Sequence, residues 1–215
     1  MPNKKDATVS FGSWFGDILS KNQQAVKEEA AMIVWRLWMA RNDVLWNNKT
    51  VKAFEVVKLA RTNLINVDGA IFEAESRFGV GVVIRDYTEK LIEVVSISKS
   101  GVVRPEIAEV IGVKEALSWI KKHSYSDVEI ETDSLVVVQA IDGEVYMPSQ
   151  FGMLVQDCRL MVSSLNYVVN SFVKRSANRA AHCVARQSCF MSGCIFSELN
   201  APSDLLSIVM DERSR

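Results

Sequence analysis

The chain has 215 residues, of which 48% are hydrophobic and 24% are charged, and its formal net charge is −1. This composition is ordinary for a globular protein and excludes a chain that is disordered throughout. The length allows one domain of about 130–150 residues with an appendage, or two small domains. Because the chain is not basic as a whole, any binding to nucleic acid would require a local basic face.

Targeting signals and cysteine spacing give further limits. Residues 1–10 include lysines but lack the apolar segment of a secretory signal, and the apolar run at residues 30–35 is far too short to span a bilayer. We therefore expect a soluble, intracellular protein, and the sequence does not distinguish nucleus from cytoplasm. The four cysteines contain no C-x-x-C spacing and only two histidines accompany them, so buried or incidental thiols are a better interpretation than a zinc site.

The N-terminal part of the sequence contains one strong helical pattern. Residues 1–20 show no regular pattern, whereas residues 22–47 carry apolar side chains at helical spacing. This helix is rich in tryptophan, with Trp35, Trp38 and Trp46. It is either a docking or base-stacking surface, or a helix that packs in the ordinary way against the rest of the chain or a partner.

Three regions follow along the chain. A short helix predicted at residues 51–60 leads into the main domain, so residues 1–61 form an N-terminal helical extension. Residues 62–192 form the main domain. Residues 193–215 form a C-terminal tail, and we expect its last residues, 211–215, to be frayed.

The sequence of the main domain predicts five strands interspersed with helices. The strands are residues 63–72, 79–85, 90–98, 127–132 and 165–173. The helices are residues 105–122, 135–141, 149–163 and 178–191. The short polar connection at residues 86–89 predicts an antiparallel hairpin of the second and third strands. The helix at residues 105–122 supplies the crossover that a parallel strand pair requires, so we predict a mixed α/β fold.

Three acidic residues lie on three different elements of this domain. Asp68 lies in the middle of the first strand, where an ionised carboxylate is costly unless a partner or a metal ion compensates it. Glu109 could equally be a solvated helix residue, and Asp133 could be a helix cap. Three carboxylates suit Mg²⁺, and two such ions about 3.5–4 Å apart can hydrolyse a phosphodiester. Spacing alone does not decide between these interpretations, because such acidic patterns are common by chance.

Several motifs, taken in order, resemble one known fold. They are INVDGA at 65–70, GVGVVIRD at 79–86, AE at 108–109, EIETDS at 129–134 and FVKRSANRAAH at 172–182. They resemble the type 1 ribonuclease H fold, and more narrowly the RNase H-like domains of plant non-LTR retroelements and their domesticated relatives. The segment VWRLWMARN at 34–42 also resembles the region that precedes RNase H in those polyproteins. The resemblance covers residues 63–190 firmly and residues 30–60 loosely.

This resemblance implies a five-stranded sheet flanked by helices, with the first three strands antiparallel and strand one beside strand four. It also implies cleavage of the RNA strand of an RNA–DNA hybrid with Mg²⁺ or Mn²⁺, two ions being expected. Asp68 and Asp133 would hold the metals, and Glu109 would bind one of them and meet the scissile phosphate.

The sequence departs from the family at the fourth acidic ligand, where His182 stands four residues after Asn178. The two side chains share a helix face, but imidazole is a poor ligand for Mg²⁺. Two interpretations stay open: a nuclease with slow or Mn²⁺-shifted activity in which His182 still acts, or a domain that binds nucleic acid or protein without cutting. A DEDD-type exonuclease is disfavoured, because in that family a glutamate closely follows the first aspartate, and here Gly69 and Ala70 follow Asp68.

Basic side chains cluster near the last predicted strand and helix. Lys174, Arg175 and Arg179, together with Asn178, are the predicted contacts to nucleic acid, because phosphate contacts dominate such affinity. Each basic group could equally be an ordinary solvated residue. Selectivity for a hybrid would come from groove shape and 2′-hydroxyl contacts. The sequence predicts no oligomeric state.

Overall fold

The computed structural model describes residues 10–47, 62–144 and 147–213. The chain divides into two compact units, the first ending at Arg61 and the second beginning at Thr62. The helix predicted at residues 51–60 lies outside the described residues. Within the described ranges, none of the helices combines the length and the apolar content needed to cross a membrane.

The first unit contains two helices, α1 at Phe11–Lys21 and α2 at Gln24–Asn47. The expectation of irregular structure in residues 1–20 is therefore wrong from Phe11 onward. The Ser10 hydroxyl begins α1 by accepting a hydrogen bond from the Ser13 N–H at 3.1 Å. Two glycines within α1 obscured the pattern, although a glycine lowers helix stability by only about 1 kcal/mol. The tryptophan-rich helix α2 is confirmed.

The apolar side chains of α2 are largely exposed. Trp35, Trp38 and Trp46 all lie at the surface. The guanidinium of Arg36 lies 4.9 Å from the ring centroid of Trp35, a cation–π contact.

The second unit is built on a mixed sheet of six strands in the order β5-β4-β1-β2-β3-β6. The strands are β1 Asn63–Phe72, β2 Arg77–Arg85, β3 Leu91–Ser100, β4 Val128–Thr132, β5 Val168–Phe172 and β6 Ile195–Phe196. The first three pair antiparallel, while β4 pairs parallel with both β1 and β5. The predicted mixed α/β fold, the antiparallel order of the first three strands and the adjacency of strands one and four are confirmed.

The predicted count of five strands is wrong, because the short strand β6 was missed. This strand pairs antiparallel with β3, with Phe196 opposite Val94 and Ile195 opposite Val95. A strand of two residues carries no alternation that a sequence pattern could reveal. The other strands begin and end within three residues of their predicted limits.

Helices flank the sheet on both sides. Those in the described part of this unit are α3 Pro105–His123, α4 Leu135–Asp142, α5 Gln150–Ser164, α6 Arg179–Gln187 and α7 Ser203–Arg213. A 3₁₀ turn at Arg175–Ala177 precedes α6. Pro105 stands in the first turn of α3, where no partner is needed for the missing N–H.

The two faces of the sheet carry different cores. On one face α3, α4 and α5 enclose the larger apolar core, which includes Ile65, Val67 and Leu117. On the other face α6 and α7 enclose a smaller core, which includes Val83 and Val184. Alternate residues of β2 and β3 therefore face different helices, as the two-residue period of a strand requires.

Helix α6 lies close to β2 because glycines stand at the contact. A Cβ atom at Gly81 would lie 2.3 Å from the Ala181 carbonyl oxygen, and one at Gly79 would lie 1.8 Å from the Ser188 hydroxyl. Any larger side chain would push α6 away from the sheet. These two glycines therefore set the distance between α6 and β2.

The C-terminal helix α7 packs as part of the second unit. Leu205 and Val209 of α7 are buried in the smaller core. The side chain of Glu212 is 4% exposed and pairs with the Arg85 guanidinium, which is itself 6% exposed. The expected fraying of residues 211–215 is therefore wrong for residues 211–213, which the structure describes. The domain boundary predicted at residue 193 falls inside this compact unit.

Candidate metal centre

The parallel pairing of β1 and β4 places Asp68 and Asp133 side by side. Val67 lies opposite Thr132 in this register, and each aspartate is the next residue of its chain. Asp68 is 1% exposed, whereas the Asp133 side chain, just beyond the end of β4, is 10% exposed. The strand adjacency implied by the resemblance thus brings the two carboxylates together.

Glu109 reaches the aspartates because α3 lies close to β1. A Cβ atom at Gly69 would lie 2.9 Å from the Ala108 carbonyl carbon, so glycine permits this approach. The Gly69 N–H donates a hydrogen bond to the Glu109 carboxylate, and the Thr132 hydroxyl lies 3.4 Å from Glu109 Oε2. Sequence reasoning missed both supporting residues. A glycine inside a strand was the one available signal, since it often marks a close approach.

The three carboxylates form one acidic cluster, in which an oxygen of each lies within 4.8 Å of the others. Burial raises the pKa of Asp68, the hydrogen bond with His182 lowers it, and the charge of Asp133 raises it again. Burial, followed by the charges of the two aspartates, raises the pKa of Glu109 to about 8. Negative charges held this close favour a bound cation.

This donor set fits a hard divalent cation. Mg²⁺ and Mn²⁺ prefer oxygen ligands, and three carboxylates supply them without any sulfur or imidazole. Oxygens that share one ion lie at most about 4.2 Å apart, since each bond is about 2.1 Å long. The 4.8 Å spread of the cluster is close to this limit, so Asp68, Glu109 and Asp133 could hold a single ion.

Two further residues at the start of α6 contact the aspartates. Asn178 is fully buried, and its Nδ2 donates to the Val67 carbonyl at 2.9 Å and to Asp133 Oδ1 at 3.2 Å. His182 lies one turn further along, with Nδ1 2.8 Å from Asp68 Oδ2. Where the resemblance implies a fourth acidic ligand, this chain has an imidazole that contacts the Asp68 carboxylate.

Exposed cations lie beside the acidic cluster. Lys174 and Arg175 are both exposed, and Arg175 Nη1 lies 3.5 Å from Asp133 Oδ2. The other terminal nitrogen of Arg175 lies 3.1 Å from Nδ1 and 3.0 Å from Nε2 of His182. One guanidinium nitrogen therefore lies against both ring nitrogens of His182, whose Nδ1 also contacts Asp68. Arg175 therefore contacts the site itself as well as the solvent.

Helix α7 fixes the first turn of α6. The Glu212 carboxylate accepts hydrogen bonds from the N–H groups of Arg179 and Ala180, at 2.5 and 3.2 Å. A carboxylate at this place complements the positive end of the helix dipole. The Arg179 guanidinium pairs with Asp211 at 2.9 Å. Sequence reasoning missed Glu212, because its partner Arg85 is 127 residues away and no local pattern marks the pair.

The second unit matches a known family. The family described as reverse transcriptase-like matches residues 66–188, more than half of the chain. The chain belongs to the reverse transcriptase-like family. The matched residues include the acidic cluster and His182, but they end before α7. Among the curated proteins, none matches this sequence.

This reverse transcriptase-like chain is similar in fold to solved RNase H structures. RNase H1 from the halophilic archaeon Halobacterium salinarum NRC-1 is 17% identical with a TM-score of 0.56, over 61% of this chain and 99% of that chain. The N-terminal RNase H domain of Rv2228c from Mycobacterium tuberculosis, solved as a fusion with maltose binding protein, is 18% identical with a TM-score of 0.53, over 60% and 93%. LC11-RNase H1, isolated from compost and solved in complex with an RNA/DNA hybrid, is 20% identical with a TM-score of 0.52, over 59% and 95%. These similarities concern the fold, and they confirm the predicted RNase H-like architecture.

Proposed function

We propose that this domain is a metal-dependent endonuclease that cleaves the RNA strand of RNA–DNA hybrids, and that it derives from a retroelement of the plant non-LTR type. The acidic cluster carries the proposal, because Asp68, Glu109 and Asp133 come from three elements and still place oxygens within 4.8 Å of one another. The complex of LC11-RNase H1 with an RNA/DNA hybrid supports a hybrid as the substrate class.

The three carboxylates of the cluster would hold a divalent cation, Mg²⁺ or Mn²⁺. Such a cation, when bound, activates the attacking water and neutralises charge on the phosphate. Asn178 and His182 hold the carboxylates of Asp133 and Asp68 in fixed positions, so the ligands are oriented before substrate arrives. Glu109 must lose its proton to serve as a ligand, since its pKa of about 8 keeps it largely protonated at neutral pH.

The hybrid would be bound through the basic end of the site. Lys174 and Arg175 are exposed and would contact phosphates directly. Arg179 would have to leave Asp211 to do the same. Asn178 is buried, so it would support the interface by orienting Asp133 rather than by touching the nucleic acid.

Cleavage of a hybrid with end-labelled RNA tests the proposed activity. We expect RNA fragments in Mg²⁺ or Mn²⁺, and no cleavage of the same sequence as duplex DNA. Asp68→Asn and Asp133→Asn should each lower the rate by at least about 100-fold, because each removes a charged ligand. Asp157→Asn is a matched control, since this carboxylate pairs with Lys114 on the surface and should leave the rate unchanged.

Activity that survives both Asp68→Asn and Asp133→Asn would refute the assignment. Far-UV circular dichroism of the two variants shows whether they keep the fold, so that loss of activity is not confused with loss of structure.

A second candidate function is a nucleic-acid-binding module that does not cut. The contacts of His182 with Asp68 and of Arg175 with Asp133 favour it, because they engage oxygens that a metal would use. His182→Asp distinguishes the candidates. Cleavage gained by this variant of an inactive wild type would mean that a single ligand had been lost. Hybrid binding without any gain of cleavage would favour the binding module.

A further inference from the structure

Side-chain nitrogens of His182 and Arg175 contact two of the three carboxylates, those of Asp68 and Asp133. His182 Nδ1 lies 2.8 Å from Asp68 Oδ2, and Arg175 Nη1 lies 3.5 Å from Asp133 Oδ2. The Glu109 carboxylate accepts from neutral donors, the Gly69 N–H and the Thr132 hydroxyl. The cluster is therefore asymmetric among the described contacts, since an arginine lies beside Asp133 and an imidazole contacts Asp68, whereas Glu109 receives neutral donors alone.

Arg175 links the contacts of Asp133 and His182. Its Nη2 lies 3.0–3.1 Å from both ring nitrogens of His182, while its Nη1 faces Asp133. A guanidinium stays charged throughout the physiological range of pH. A fixed positive charge therefore lies beside both Asp133 and the imidazole that contacts Asp68.

The same contacts leave room for one ion but oppose a second. A carboxylate oxygen that accepts one hydrogen bond keeps a lone pair for a metal, so the contacts of Asp68 and Asp133 are compatible with one ion shared with Glu109. A second ion would need further oxygens at about 2.0–2.1 Å and would meet the Arg175 charge directly. Within the described ranges, no fourth acidic side chain joins the cluster.

We propose that this site takes a single divalent cation, and that Arg175 and His182 occupy the place of a second one. The inference rests on the proposed function of the cluster as a metal site. Arg175 supplies the fixed positive charge beside Asp133, and His182 holds the Asp68 oxygen. The Arg175 side chain is 65% exposed, so the same guanidinium is open to an arriving phosphate and can contact it by charge-assisted hydrogen bonds.

Counting bound Mn²⁺ tests this inference. The full chain is titrated with MnCl₂ by calorimetry, and the loaded protein is examined by electron paramagnetic resonance. We expect one Mn²⁺ per chain in the wild type, with the spectrum of an isolated ion. The double variant Arg175→Ala/His182→Asp should bind two, with the spectrum of a coupled pair, because paired ions lie only about 3.5–4 Å apart.

Two single variants support the count. Arg175→Ala should tighten binding of the first Mn²⁺ by about threefold to tenfold, because it removes a positive charge beside Asp133 that repels the cation. Lys174→Ala is the matched control, since it removes the charge of the neighbouring exposed residue. We expect it to change the affinity by less than about twofold, as the charge of an exposed lysine is screened by water and salt.

The possible results separate the inference from the function on which it rests. Two ions in the wild type, or one ion in the double variant, would overturn the inference and leave the metal site standing. A wild type that binds no Mn²⁺ would overturn the proposed function and the inference with it. If the double variant does not fold, an unchanged affinity in Arg175→Ala would overturn the role given to the arginine.

Discussion

The two helices that bring side chains to the acidic cluster are held on the sheet in different ways. Helix α3, which carries Glu109, packs on the larger apolar core through residues such as Leu117. Helix α6, which carries His182, packs on a smaller core, and its first turn is fixed by the buried Glu212, the partner of Arg85. One half of the site thus depends on hydrophobic burial, and the other half depends on a buried ion pair.

Because of this difference, substitutions should destabilise the two halves of the site in different ways. Apolar packing loses stability in proportion to the atoms removed, and no single charge controls it. A buried ion pair is different, because removing one partner leaves an uncompensated charge in the interior. We therefore expect the α6 half to be the more sensitive to a single conservative substitution.

The largest expected effect comes from Glu212→Gln. The variant keeps the shape of the side chain but leaves the Arg85 guanidinium without a carboxylate, so we expect it to lower the free energy of unfolding by about 3–5 kcal/mol. Urea unfolding followed by circular dichroism measures the loss. Asp211→Asn is the matched control, because its pair with Arg179 is partly exposed and should contribute less than about 1 kcal/mol.

The double variant Arg85→Met/Glu212→Leu should recover part of this loss, since it removes both charges and leaves apolar groups, while the Arg179 and Ala180 N–H groups still lose their acceptor. A loss below about 1 kcal/mol in Glu212→Gln would show that the ion pair does not hold α6, and the contrast between the two helices would fail.

A somewhat smaller effect should follow from pH, and it concerns the α3 half. The pKa of Glu109 rises from 4.5 to about 8 on folding without metal. The folded protein therefore holds the Glu109 proton more tightly than the unfolded chain does. The contribution of this group to folding stability is fully present below pH 4.5 and is lost as pH rises through about 8. We expect the metal-free protein to lose about 2–3 kcal/mol between pH 5 and pH 9, a discounted figure because the carboxylates titrate together.

Urea unfolding across this pH range in a chelator, repeated with excess Mn²⁺, measures the effect. The cation should remove the loss, because it favours the ionised carboxylate. Glu109→Gln should flatten the metal-free profile. An equal fall in stability in that variant would assign the pH dependence to other groups.

The smallest expected effect comes from Gly69→Ala, which tests the contact between α3 and β1. The added Cβ atom would lie 2.9 Å from the Ala108 carbonyl carbon, so α3 must shift. We expect a loss of about 1–2 kcal/mol in stability and about tenfold weaker Mn²⁺ binding, because Glu109 moves with its helix.

Leu117→Ala is the control that separates geometry from stability. It lies on the same helix, away from the cluster, and should cost about 2–5 kcal/mol without changing Mn²⁺ affinity. Equal weakening of Mn²⁺ binding in both variants would mean that general stability, rather than the Gly69 contact, controls the metal site.

Much of the fold could be predicted from sequence where a long periodic pattern was present. The first strand was predicted at the limits that β1 has, and α3 ends one residue beyond its predicted end. The misses have local reasons. Glycines obscured the helical pattern of α1, and β6 has only two residues. The tail has a mixed pattern, and Leu205 and Val209 are buried in it because they pack in the same core as α6.

The candidate site was predictable in its acidic residues and less so in its other contacts. An aspartate in mid-strand is anomalous by itself, and the resemblance indicated the partners of Asp68. The contact between Arg175 and Asp133 could not be predicted, because it depends on how the 3₁₀ turn places an exposed arginine. The Arg85–Glu212 pair joins distant residues, and sequence periodicity carries no information on such pairs.

The family match and the folded unit end at different places. The match stops at residue 188, whereas the carboxylate that completes the α6 half belongs to Glu212. A fragment trimmed to the matched residues would remove the carboxylate partner of Arg85 and leave the first turn of α6 uncapped. Inactivity of such a fragment would report the missing last helix and would carry no information on the chemistry of Asp68. For biochemical work, the useful piece of this chain therefore extends through Glu212.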